Sequence, residues 1–317
     1  MTDKYEDLDC FKSGRTLLID GDIVVYRPCC THNEEGMQAQ ANIERAIERR
    51  ISEMMRNADC DDYRFFVTTK KNFRDHLVTD YKANRNDVDR PIHLAWAKHL
   101  AVAKFGAEAV PYLEADDLLA IHQTDSTVIW SLDKDLRQVP GMHLDDETQE
   151  VVIVDEVGLV EKHTTVSKDG KKKHKAYFNG LLGFYLQLLM GDSTDWIVGC
   201  GKRVHQQLAS GKMRYHKKDT KKHKKGDPWI CRMGVGEMKA LKLLEGLSPP
   251  EAKKQVARAY RAEFGNAWKY MMETQANLLW MSREYVGDCV KMWTFDDRDQ
   301  YLNIKTGLIT DAPDQDD

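Results

Sequence analysis

The chain has 317 residues, 42% of them hydrophobic and 31% charged, with 47 basic against 51 acidic side chains and a net charge of −4. That length holds one large domain or two coupled ones. The most apolar run, Leu181 to Met190, is about half of the ~20 residues a spanning helix needs and is interrupted by Gln187, which excludes a membrane span. Near-neutral charge argues against a nucleic-acid partner only if it is evenly spread, and it is not.

Met1 to Asp9 is acid-rich without an apolar run, so no secretory signal is expected. Seven cysteines, at 10, 29, 30, 60, 200, 231 and 289, show no paired CxxC spacing and read as the reduced thiols of a cytosolic protein. Cys200, His205, His216, His223 and Cys231 fit no recognised zinc-finger spacing.

Thr16 to Ile19 is short, apolar and β-rich, and Asp20 closes it within Leu18-Ile19-Asp20-Gly21-Asp22. Ile43, Ile47, Ile51 and Met54/Met55 recur at helical spacing, and Arg64 to Val67 predicts a second strand. His93 to Phe105 reads as a helix, with Leu94, Ala97, Leu100 and Ala101 on an apolar face and Lys98 and Lys104 on a basic one. His93 and His99 read as surface residues. Glu114-Ala115-Asp116-Asp117 stands where Val110 to Leu113 gives way to a helix carrying Leu118, Leu119 and His122. Thr127 to Trp130 predicts a third strand, followed directly by Ser131-Leu132-Asp133-Lys134-Asp135. Nearly continuous apolar strands alternating with helical patterns predict an α/β fold with a mostly parallel sheet covered on both faces. Gln149 to Val154 predicts a strand near the sheet edge.

Beyond it the composition breaks twice. Residues 168–175 carry Lys168, Lys171, Lys172, Lys173 and Lys175 against Asp169, and residues 202–232 carry eleven basic side chains against Asp219 and Asp227. A charge run is usually a solvated loop, but this density favours attraction of phosphate. The helix of 181–190 ends at Gly191-Asp192-Ser193-Thr194-Asp195, and 237–244, 250–264 and 268–280 are predicted helices, which makes the C-terminal part mainly α. The Trp and Met residues of 268–281 read as core. Asp311 to Asp317 reads as a solvated acidic tail.

The acids carry the chemistry. Asp20, Glu114, Asp116, Asp117, Asp133, Asp135, Asp192 and Asp195 are eight carboxylates expected at strand or helix junctions of one pocket. So many anions cannot all stay ionised together without counter-charge. Oxygen donors without accompanying His or Cys select Mg²⁺ or Mn²⁺. Two such ions suit hydrolysis of a phosphodiester, one activating water and the other stabilising the leaving oxygen.

The order of Leu18-Ile19-Asp20-Gly21, Phe73-Arg74-Asp75 with Tyr81-Lys82-Ala83-Asn84-Arg85, Glu114-Ala115-Asp116-Asp117, Leu132-Asp133-Lys134-Asp135-Leu136 and Gly191-Asp192 through Asp195 to Ile197 and Gly199 resembles the flap-endonuclease superfamily. Within it the chain is most similar to the 5′→3′ exonucleases of bacteriophages, over about residues 15–245. The resemblance implies a nuclease core over 1–180 with a helical arch at about 82–113, a helix-hairpin-helix DNA-binding region over 181–310 with a basic insertion at 202–232, and the tail 311–317. It implies that Asp20, Glu114, Asp116 and Asp117 hold a first metal ion and Asp133, Asp135, Asp192 and Asp195 a second. Lys82 and Arg85 correspond to the pair that neutralises the scissile phosphate. Tyr81 is placed either to stack on a terminal base or to pack in the core.

Gly234-Val235-Gly236, opening a helix with Lys239 one turn in, supplies half of the hairpin whose backbone amides meet phosphate. Its companion, Ile197 to Gly201, lies upstream of the basic insertion, where Lys217, Lys218, Lys221, Lys222, Lys224 and Lys225 would add grip. Three positions depart from the family pattern. After the second strand, Phe66-Val67-Thr68-Thr69 offers hydroxyls where an acid is usual; Asp22 is an extra acid, either supporting the site or merely part of a turn; and Trp196 stands where Asn is usual. The implied activity is 5′→3′ hydrolysis of duplex DNA from ends, nicks or gaps, of 5′ flaps and of RNA in RNA–DNA hybrids. A PIN-type ribonuclease and a non-catalytic DNA-end-binding architectural factor are the alternatives. A monomer is the default expectation.

Overall fold

The computed structural model describes residues 13–85, 89–166, 170, 172–219 and 224–313. Lys168, Asp169, Lys171, Lys221, Lys222, His223, Cys10 and the end of the acidic tail lie outside the described residues. The chain divides into two compact units, one of residues 1–70 and 90–154 and one of 71–89 and 155–317. The sequence reading puts a boundary at 180 instead.

In the first unit, β1 (Thr16–Asp20) runs into α1 (Gly21–Thr31) and α2 (Met37–Ala58), followed by β2 (Asp62–Phe66), α3 (Leu94–Phe105), α4 (Ala115–His122), β3 (Thr127–Trp130), β4 (Gly141–Leu144) and β5 (Val151–Val154). The sheet order is β2-β1-β3-β4-β5, parallel throughout except for the antiparallel edge strand β5. The mostly parallel α/β architecture is therefore the one expected, with β5 at the edge.

The pleat assigns the faces. Leu17, Ile19, Phe65, Val67, Val128 and Trp130 share a core with Ile43, Ile47, Ile51 and Met54 of α2 and Ala97, Ala101 and Phe105 of α3. Leu18 and Phe66 point the other way, where the Phe66 ring meets His122 of α4 edge-on at 5.3 Å. Asp20 shares the Leu18 face by the same alternation.

Some details differ from the sequence reading. The second strand begins two residues earlier than predicted and ends one residue earlier, where Val67 N–H bonds the Glu108 carbonyl at 3.0 Å instead of continuing the ladder. His93, expected at the surface, is buried, with its Nε2 2.8 Å from the Glu34 carbonyl; His99 is exposed. The stretch 82–113, expected as an arch, holds a 3₁₀ turn at Ala83–Arg85 in the second unit and α3 in the first, with α3 burying Ala97, Ala101 and Phe105.

The second unit contains β6 (Leu159–Val166), β7 (Lys172–Asn179), α5 (Gly180–Met190), β8 (Gly201–His205), β9 (Ile230–Gly234), α6 (Glu237–Leu244), α7 (Pro249–Phe264), α8 (Trp268–Leu279) and β10 (Tyr285–Val286), β11 (Cys289–Lys291), β12 (Tyr301–Asn303) and β13 (Ile309–Thr310). Helix α5 is apolar nearly all round and is correspondingly buried, enclosed in a core that includes Ala252, Val256 and Tyr260 of α7 and Met272 and Ala276 of α8. The Trp and Met residues of 268–281 mostly join this core, as expected. The C-terminal part carries the expected helices α5 to α8, and the structure adds the hairpin β6–β7 before them, the ribbon β8–β9 and the four-stranded antiparallel sheet β10–β13. No helix among the described residues is long and apolar enough to cross a membrane.

Candidate active site

Carboxylates of the first unit gather at the C-terminal ends of its parallel strands, the edge where open α/β sheets place their ligands. Asp20 ends β1 and is 3% exposed. Its Oδ2 accepts a hydrogen bond from Ser131 Oγ at 2.7 Å; Ser131 Oγ in turn accepts from Asp133 N–H at 3.0 Å, and Asp133 Oδ1 from Asp135 N–H at 2.9 Å. The turn after β3 thus ties three acids together. Burial, reinforced by the charge of Asp22, pushes the Asp20 carboxyl up to about 7, with Asp133 adding and the Ser131 hydrogen bond opposing.

Gly21 makes the turn possible. A Cβ at this position would lie 2.4 Å from the Phe66 carbonyl, so only glycine lets α1 start so close to the end of β2. Asp22 in the first turn of α1 supports the site: its carboxylate accepts from Thr68 N–H at 3.2 Å and pairs with Lys98 Nζ at 2.6 Å. Lys98 also donates to the Thr68 carbonyl at 2.8 Å. Thr68 Oγ1 accepts from Ala115 N–H at 2.9 Å, at the start of the helix bearing Glu114, Asp116 and Asp117. At the departure after β2, a threonine therefore anchors α4, and the extra acid at Asp22 anchors the threonine. Asp117 is fully buried and accepts from Glu114 N–H at 3.4 Å, closing the first turn; Glu114 is buried and Asp116 half-buried.

In the second unit Asp192 and Asp195 follow α5. Asp192 Oδ1 accepts from Thr194 N–H at 2.6 Å and from Asp195 N–H at 3.3 Å, an Asx turn that fixes Asp195. Three residues of the Tyr81-to-Arg85 segment converge on Asp195: Lys82 Nζ at 3.4 Å, Tyr81 OH at 3.4 Å and the Arg85 guanidinium, with Lys82 N–H also bonding the Asp195 carbonyl at 3.2 Å. The Tyr81 ring packs against the core of its unit. Lys82 takes a left-handed φ of 53°, as does Trp196 at 63°. Asn tolerates that conformation and Trp resists it, which gives the departure at 196 a backbone meaning. The Arg203 guanidinium lies 4.1 Å from the Trp196 ring, bonds its carbonyl, and pairs with Asp80 at 3.0 Å, so the strained residue is clamped.

The proposed hairpin glycines have a different setting from a simple turn. Gly201 and Gly234 pair across β8 and β9, and the ribbon continues through bridges Gln207 to Met213 and Tyr215 to Pro228. Gly236 caps α6 and is exposed, as is Lys239. Lys217, Lys218, Lys224 and Lys225 are exposed on the ribbon's connection. Arg203 and Arg232 face inward instead; Arg232 donates to the Leu189, Val198 and Val235 carbonyls. Cys200, His205, His216 and Cys231 form no metal cluster, with His216 stacked on Trp229 at 4.4 Å and His205 bonded to the Arg214 carbonyl. Among the described residues, no three His, Cys, Asp or Glu side chains are gathered into a ready cage for an ion.

Residues 15–172 match the family model of the 5′-3′ exonuclease, N-terminal resolvase-like domain, in agreement with the parallel sheet and its acidic edge. That segment is similar to a domain of the 5′-nuclease superfamily, and the match supports a nuclease acting on nucleic acid. No curated protein matches the chain significantly.

Proposed function

We propose that this nuclease is a divalent-metal-dependent 5′→3′ exonuclease that hydrolyses duplex DNA from ends, nicks or gaps. RNA in RNA–DNA hybrids and 5′ flaps extend its substrates, and its setting is phage replication and recombination. The observation that most supports metal dependence is Asp20, a buried acid whose pKa is pushed up to about 7 by burial and neighbouring carboxylates. Such a group ionises fully when a cation joins it.

The all-oxygen donors Asp20, Glu114, Asp116, Asp117, Asp133 and Asp135 of the first unit, and Asp192 and Asp195 of the second, suit Mg²⁺ or Mn²⁺. Donor type and burial fit, although the side chains are held by Ser131 and by backbone amides and are not drawn around one point. Two bound ions would supply an activated water and stabilise the leaving oxygen. Lys82 and Arg85 would neutralise the phosphate, exchanging part of their pairing with Asp195 for it. Tyr81 would stack on the terminal base. The amides at Gly234 and Gly236, Lys239, and the lysines at 217, 218, 221, 222, 224 and 225 would hold the backbone.

The test is digestion of duplex, flap and hybrid substrates in Mg²⁺, labelled at either the 5′ or the 3′ end. Early release of the 5′ label as small products is expected, with Asp135→Ala binding duplex but not cleaving it. Full activity in that variant would sink the assignment.

A further inference from the structure

The hairpin β6–β7 has eight residues in each strand, and its two halves differ sharply. The inner half is anchored. Phe178 is buried, Val160 and Ala176 pack on the core of the second unit, and Ala176 N–H donates to Glu237 Oε1 at 2.6 Å. The outer half, Glu161 to Val166 against Lys172 to Lys175, is exposed residue by residue on both faces, with Val166 63% exposed. An isolated two-stranded ribbon is at best marginally stable in water, so the anchored half holds the outer half in its strand conformation.

The register decides which side chains share a face. Lys162 stands opposite Ala176 and Lys172 opposite Val166, with Thr164 and His174 bonded at 2.8 Å between them. On the other face Lys175 stands opposite His163 and Lys173 opposite Thr165, with the His163 ring stacked on Tyr177 at 4.9 Å. Each face therefore carries two lysines, and among the described residues none of the four has an ion-pair partner. A ribbon built to close a core would keep one face apolar. This one has neither face apolar, and unpaired cations point out of both.

We infer that the outer half of the β6–β7 hairpin is an arm that enters the major groove of B-form duplex DNA, with one lysine-bearing face turned to each sugar–phosphate wall. The inference rests on duplex DNA being the substrate. A two-stranded ribbon with side chains on both faces is about 10 Å thick. The B-form major groove, about 12 Å wide, admits it; the minor groove, about 6 Å wide, does not. The six exposed residues of β6 span about 20 Å, enough to lie across the groove. A-form duplexes present a deep, narrow major groove, so the arm separates the two forms.

The test compares the wild-type protein with a variant carrying Lys162→Thr, Lys172→Thr, Lys173→Thr and Lys175→Thr, which keeps strand-forming residues at each position. Binding is measured in EDTA, across a KCl series, to a blunt DNA duplex and to an RNA duplex of equal length. The variant is expected to lose about tenfold or more in affinity for DNA, with the salt slope flattened by up to about four, and to bind RNA within about twofold of wild type. Unchanged affinity and slope on DNA, or equal losses on both duplexes, would overturn the arm. A companion with arginine at the same four positions should bind DNA like wild type, and matching melting temperatures exclude unfolding as the cause. Hydrolysis in Mg²⁺ is read separately: cleavage without hairpin-dependent binding refutes the arm alone, and hairpin-dependent binding without cleavage refutes the exonuclease reading alone.

Discussion

Thr68 Oγ1 accepts a hydrogen bond from Ala115 N–H at 2.9 Å, so the residue beyond β2 fixes the start of the helix that carries Glu114, Asp116 and Asp117. Thr68→Val keeps the shape and removes the acceptor. It should cost about 1–2 kcal/mol in urea unfolding and slow cleavage without weakening duplex binding. Thr68→Ser should restore both. A valine variant with wild-type cleavage would show that the start of α4 is fixed by other contacts.

Asp20 gives a prediction whose sign depends on metal. Its folded pKa of about 7 lies above the ordinary value of 3.8, so its contribution to stability is present at low pH and is lost as pH rises from about 4 to 7. Asp20→Asn escapes that loss. Without metal it should be more stable than wild type at pH 8, by up to on the order of 4 kcal/mol, and equal to it near pH 4. Millimolar Mg²⁺ should raise the wild-type melting temperature and raise the variant's by less, since the acids assigned to the second ion remain. Melts at both pH values, with and without Mg²⁺, check all three outcomes.

His143 acts in the opposite direction. Burial pushes its imidazole down to about 4, with its Nε2 2.8 Å from the Val139 carbonyl. The unfolded chain takes up the proton first, so the contribution of this residue falls as pH drops from about 6.5 to 4, by about 3 kcal/mol in all. His143→Gln offers an amide donor in its place and should remove this part of the acid sensitivity. The difference between variant and wild type across pH 4–7.5 is the quantity to measure, because Asp20 slopes the other way over the same range.

The basic ribbon separates binding from folding. Replacing Lys217, Lys218, Lys224 and Lys225 by Ser should leave the melting temperature unchanged and flatten the salt dependence of duplex binding by up to about four in log–log slope. Arg232→Ala should do the reverse. It strips the donors from the Leu189, Val198 and Val235 carbonyls and should cost about 2–4 kcal/mol with little change in slope. Similar effects from both variants would mean that the two groups of cations are not distinct.

What could be read from the sequence follows from how strongly each element is patterned. Thr127 to Trp130 is a fully buried strand between polar turns, and α2 repeats Ile43, Ile47 and Ile51 at the helical period, so both were legible. The acids at Asp20, Asp133 and Asp135 were legible as strand-end residues because the strands before them were. By contrast β4 is Gly141-Met142-His143-Leu144, with a buried histidine whose partner is a backbone carbonyl, and it offers no apolar run. Of the hairpin β6–β7, only the start of β7 stands out in the sequence, within the charge run 168–175, because lysines on both faces erase the alternation that marks a half-buried strand. The strands β10 to β13 have two or three residues each, too few to show any period. Thr68 stands out in the sequence as a departure, but its role depends on Asp22 and Ala115, which are 46 and 47 residues away.

Gly201 and Gly234 meet so closely that a Cβ on the first would lie 2.3 Å from the Met233 carbonyl, and one on the second 2.4 Å from the Cys200 carbonyl. No side chain fits between the two strands at that point. The pair is therefore a seam. Everything distal to it, from Lys202 through Met233, leaves and returns through one fixed backbone contact, so the ribbon could be shortened, lengthened or exchanged for another module while the chain on either side keeps its path. Arg232 and Arg203 define how much of the base must travel with the graft.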